Sequence, residues 1–149
     1  MNYLNMAIFL DNPSYDEFKK LSKMRIKEAK ILFKKFEYSG AYYLAGYSIE
    51  LALKACYCKN VKEQSFPPKK EIYYALYSHD LNNLLDVSGI KLDFEKREKK
   101  DKIFQENWIT VKDWTEQSRY GFFNRTYAES LINSIVGQSG ILNWIKKLW

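Results

Sequence analysis

Histidine occurs once, at His79, and cysteine twice, at Cys56 and Cys58, in a chain of 149 residues. One histidine and two cysteines cannot make a zinc ligand set, so no metal site is expected. Cys56 and Cys58 stand two apart in one helical stretch, where their side chains diverge and do not bridge. A reducing compartment is the simpler inference. Prolines number three, two of them the consecutive Pro67 and Pro68, which stop any helix and favour an extended connection between Asn60 and Lys70. No apolar run approaches the roughly 18 residues of a membrane span. The leading MNYLNMAIFLDNP lacks the basic start and small-residue cleavage site of a secretory signal. Strand-type alternation, internal repeats and low-complexity tracts are also missing. Together these absences predict a cytoplasmic, all-α protein with no membrane contact and no cofactor.

What is present is apolar and aromatic. Apolar residues make up 46% of the chain, enough for a core in one domain over residues 1–149 without disulfide or metal. Tyrosine outnumbers phenylalanine, 12 to 9, which suits interhelical positions where a ring is buried and a hydroxyl reaches a polar partner. The net charge of +6 is concentrated: between Lys19 and Lys35 eight basic residues face a single acid, Glu28. Lys19, Lys23, Lys27, Lys30 and Lys34 recur at helical spacing and share one face. Such a stripe is more often a solvated surface than a polyanion site, and both readings stand.

Helical spacing predicts four long helices and one short one in an up-and-down bundle. The first runs from about Tyr15 to Glu37, with Ser14 and Glu17 as a capping box and Phe18, Leu21, Ala29, Leu32 and Phe36 as its buried stripe. Arg25 falls on that stripe, either snorkelling at its edge or reaching an interior polar cluster. Tyr38-Ser39-Gly40 reads as the turn into an antiparallel second helix. Ser78 reads as the cap of a short helix, His79 to Val87, ended by Gly89. A long helix is expected from Phe94 to about Gln117. Another follows SRYGFFN, with a bend or break at Gly137 and Gly140.

The second helix, within SGAYYLAGYSIELALKACYCK, carries one misplaced acid. Tyr43, Gly46, Tyr47, Glu50, Leu53 and Tyr57 share a face, so the Glu50 carboxylate sits among rings and aliphatics. A buried carboxylate without a partner is costly, and His79, Arg119, Arg25 or a tyrosine are the candidates to meet it.

With these pieces named, the chain resembles the HEPN domain family, helical bundles found in prokaryotes beside small nucleotidyltransferases and in RNA-cleaving toxins. The resemblance rests on GAYYLAGYSIELALKA at Gly40–Ala55, SHDLNNLL at Ser78–Leu85 with Gly89 after it, and DWTEQSRY at Asp113–Tyr120. Family nucleases carry an Arg and a following His with four to six residues between them, paired across a dimer. Arg119 matches the arginine, but Asn124, Arg125 and Thr126 occupy the three histidine spacings. An amide cannot replace imidazole as a general acid or base. The resemblance therefore implies a binding or partner subunit, dimeric, acting with a nucleotidyltransferase or binding a nucleotide or RNA. Glu50, His79, Arg119, Tyr120, Asn124 and Arg125 are its polar or binding residues. The alternative is a divergent, metal-independent RNase toxin using Arg119 and His79. A purely structural module is a third reading, marked by a large exposed apolar patch.

Overall fold

The computed structural model describes residues 10–61 and 70–149, whose regular elements are all helices, with no strand among them. Helix α1, Tyr15–Lys34, starts at the expected capping box: Ser14 Oγ accepts from Glu17 N, and Glu17 returns a carboxylate to Ser14 N at 2.7 Å. It stops earlier than the sequence predicts. Phe36 N donates to Phe33 O and Glu37 N to Leu32 O, the two bonds of a Schellman close. Phe36 takes the left-handed position of that motif at φ 65°. Its ring is 74% exposed, so it leaves the buried stripe assigned to it. Ser22, Ile26 and Ala29 are the residues of α1 that are fully covered.

Helix α2, Tyr38–Asn60, begins at the tyrosine expected to open the turn, so Ser39 and Gly40 lie inside the helix. It runs antiparallel to α1: Gly40 lies against Leu32, and Ser22 Oγ donates to Ser48 O at 2.7 Å. The small residues allow this approach. Ala41, Ala45, Ala52 and Ala55 are all fully buried. A Cβ at Gly46 would stand 2.2 Å from the Trp114 indole, so only glycine fits there. Helix α2 is the axis of the fold, touching α1, the short helix at Leu81–Val87, the turn at Glu116–Tyr120 and both C-terminal helices.

The Pro67-Pro68 connection lies outside the described residues. Helix α3, Lys70–Tyr77, has no fully buried residue and presents Tyr73, Tyr74 and Tyr77 to solvent. Helix α4, Leu81–Val87, buries Leu81, Leu84 and Leu85 as expected, and Gly89 follows it at φ +85°. Its cap is Asp80, which accepts from Asn83 N at 2.9 Å, not Ser78. His79 therefore precedes the helix instead of occupying its first turn.

The long helix expected from Phe94 divides. Asp101 ends α5, Lys91–Lys100, and caps α6, Lys102–Lys112, by accepting from Phe104 N at 3.0 Å and from Ser139 Oγ at 2.7 Å. These bonds hold its carboxyl below the usual range, the Phe104 amide first. After Trp114 the chain makes a 3-10 turn, Glu116–Tyr120. Helix α7, Arg125–Val136, and helix α8, Ile141–Ile145, are separated at Gly137–Gly140, where the sequence predicts the break. Among the described residues the bundle thus has two long helices, of 20 and 23 residues, surrounded by shorter ones instead of four long and one short. No described helix is long and apolar enough to cross a membrane.

Candidate functional site

Glu50 is 1% exposed, held by its place on the inward face of α2. Two partners meet it. Lys54, one turn on, donates from Nζ to Oε1 at 2.8 Å, while His79 Nδ1 lies 3.0 and 3.1 Å from the two carboxylate oxygens. A carboxylate only accepts, so Nδ1 carries the hydrogen and Nε2 is left on the opposite side of the ring. A buried acid thus fixes both the orientation and the tautomer of the only histidine. The imidazole remains accessible, with 45% of its side chain exposed. Tyr47 stands beside this group. Burial pushes its hydroxyl's pKa up, and the Glu50 charge adds to the rise.

The two arginines proposed for Glu50 go elsewhere. Arg25 pairs with Glu28 on its own helix and stays at the edge of the stripe. Arg119 projects from the 3-10 turn, its guanidinium 5.1 Å from the Tyr120 ring. Tyr120 and then Tyr43 raise its pKa, so its tyrosine neighbours include one from α2. Glu116 lies within electrostatic reach of both the imidazole and this guanidinium. Its carboxyl is held below the usual range by its own backbone N–H first, then by Gln117, and further by its proximity to His79 and Arg119. The dyad and the arginine therefore share one electrostatic neighbourhood, without a direct hydrogen bond between Glu50 and Arg119.

Beyond Arg119 the surface is aromatic. Tyr120, Phe122 and Tyr127 are 74%, 101% and 61% exposed. The strand of chain that carries them is pinned from α2: Ser39 Oγ accepts from Phe123 N at 2.9 Å, and the Tyr42 and Phe123 rings stack at 3.8 Å. Asn124 caps α7 by accepting from Tyr127 N at 3.2 Å. Arg125 pairs with Glu129 at 3.8 Å and stands 5.9 Å from the Phe33 ring. Asn124 thus has a structural task, whereas Arg119 has no carboxylate partner among the described residues.

The lysine stripe faces solvent on α1 and meets a second element there. Lys23 Nζ lies 5.8 Å from the Trp149 ring, and the ammonium of Lys146 is pushed down by burial and then by Lys23 and Lys30. Lysines far apart in sequence thus form one basic surface. Lys19 is partly neutralised by Asp16 at 3.4 Å.

Three participants are absent from the sequence reading. Lys54 sits four residues after Glu50, a helical pairing distance that could have exposed it. Glu116 and the Phe122 ring gave no comparable signal. Both cysteines are free, and burial pushes the Cys56 thiol up to about 12, which makes it a packing residue instead of a nucleophile. Compared with known proteins, the chain matches no family model, no curated protein and no solved structure.

Proposed function

We propose that the chain is a HEPN-like helical binding subunit that pairs with a second copy and holds RNA or a nucleotide, acting beside a nucleotidyltransferase. The observation that carries this reading is the rim from Arg119 to Tyr127. It offers a guanidinium with no ion-paired carboxylate among the described residues, flanked by exposed rings, on a segment anchored to α2. An arginine fork suits a phosphate, and aromatic faces stack on bases whatever their sequence. Phe122, fully exposed, supplies the apolar element that a symmetric dimer would cover. The basic surface of α1 and Lys146 adds attraction for polyanions. Fluorescence anisotropy with labelled single-stranded RNA tests the reading. Arg119→Ala abolishes binding if it is right and leaves binding unchanged if it is wrong. Sedimentation of Phe122→Ser tests the dimer, which dissociates on this account.

A second reading, a divergent metal-independent RNase, is favoured by one specific feature, the Glu50–His79 dyad. A buried carboxylate that fixes Nδ1–H presents Nε2 as a base for a 2′-hydroxyl, and Arg119 would stabilise the charge that develops on phosphorus. Cleavage in the presence of EDTA that disappears in His79→Ala would establish it.

A further inference from the structure

Next to the dyad, between the start of α1, the C-terminal half of α2 and the end of α3, lies a cleft of about 370 Å³. Its walls are Phe18, Tyr57, Leu76 and Tyr77, and Lys54 and His79 stand at its polar end. The volume suits one heterocyclic ring system, not a chain of them. Aromatic walls with few polar groups favour a flat ring that stacks.

Charge decides between a ring and a phosphate. Lys54 is already matched by the buried Glu50 at 2.8 Å, and among the described residues the acid lining the cleft is Asp11. Among the described residues the fixed charges of the cleft therefore carry no positive surplus, in contrast to the Arg119 rim. A phosphate placed there would meet Asp11 without an uncommitted lysine. A neutral ring would not. His79 supplies the directional contact: its Nδ1–H is taken by Glu50, so Nε2 is the nitrogen left to accept from a ring N–H or amino group. Buried Glu50, which no packing need explains on an inward helical face, gains a role as the group that sets this acceptor.

We propose that this cleft is a pocket for a single nucleobase, which stacks on the Tyr57 and Tyr77 rings and donates a hydrogen bond to His79, while its sugar and phosphates stay outside. The proposal deepens the nucleotide- or RNA-binding reading and rests on it. In the RNA complex one base would be held here, and phosphates would be held at Arg119 or along α1.

The test is an NMR titration of the full chain, following the His79 imidazole and the Tyr77 amide, with the four common ribonucleosides, their 5′-monophosphates and inorganic phosphate. At least one nucleoside is expected to shift both signals, with its monophosphate binding within about threefold because the pocket has no surplus cation. Tyr77→Ala, at a 68% exposed position where folding is not at risk, weakens binding about tenfold, the loss expected for one stacking ring. His79→Gln retains more affinity than His79→Ala. The pocket is overturned if no nucleoside shifts these signals, if inorganic phosphate or a monophosphate binds more than about tenfold tighter than the nucleoside, or if Tyr77→Ala binds as well as the parent. Retention of single-stranded RNA, measured in parallel, separates the two claims. RNA held without nucleoside binding sinks the pocket alone, whereas nucleoside binding without RNA retention sinks the RNA reading and leaves a mononucleotide pocket.

Discussion

Two polar regions lie close together in this bundle and are built in opposite ways. At Glu50 every charge has a partner inside the fold: Lys54 on the same helix and His79 from the α3–α4 corner. At the Arg119 rim the guanidinium has tyrosines for neighbours, and the rings of Tyr120 and Phe122 face solvent. The first arrangement lowers the cost of a buried acid and fixes one imidazole. The second leaves its guanidinium with no ion-paired carboxylate among the described residues, as the proposed binding surface requires. Stability should therefore reside in the first region and recognition in the second.

The sharpest contrast comes from Gly46→Ala, since the added carbon drives into the Trp114 indole beneath both regions. It should cost about 3 kcal/mol or more in denaturant unfolding, at the upper end of overpacking penalties. Glu50→Ala comes next. It strips Lys54 and His79 of their acceptor and should cost about 2 kcal/mol, less than a fully buried pair because both partners reach solvent. Arg119→Ala should leave the unfolding midpoint where it was while removing RNA binding. Equal losses of stability in these two variants would erase the distinction between the regions.

Phe36→Gly works in the opposite direction. Phe36 holds a left-handed backbone with its ring mostly in solvent, so glycine should raise stability by about 1 kcal/mol. A smaller gain would mean that the ring makes contacts worth keeping. The mildest expectation concerns the basic surface. Changing Lys23, Lys30 and Lys146 to Gln together should flatten the plot of log affinity against log salt for single-stranded RNA by about 2, at about 0.7 per phosphate contact. An unchanged slope would return the stripe to a solvated face.

Much of this was legible in the sequence, for reasons that can be stated. Glu50 was conspicuous because a carboxylate on an apolar helical stripe has few physical outcomes, and His79 was among its named candidates. The small residues of α2 foretold close packing, and Gly137 and Gly140 foretold the break before α8. The split at Asp101 was hidden by composition. In a run of alternating lysines and acids, the one acid whose carboxylate turns inward to cap Phe104 and meet Ser139 looks like its neighbours. Helical spacing places Phe36 in the core because a left-handed close without glycine leaves no signature. The Glu116 link between His79 and Arg119, and the meeting of Lys146 with Lys23 and Lys30, depend on long-range packing that periodicity does not encode.

The most direct test of the division between the two regions is incubation of a mixed RNA pool with the purified chain, with and without EDTA, beside Arg119→Ala and His79→Ala. Both retention and cleavage are read from the same samples. The account predicts RNA retained intact by the parent and by His79→Ala, and released by Arg119→Ala. Metal-independent cleavage by the parent, lost in His79→Ala, would contradict it and make the buried dyad the working centre of a nuclease.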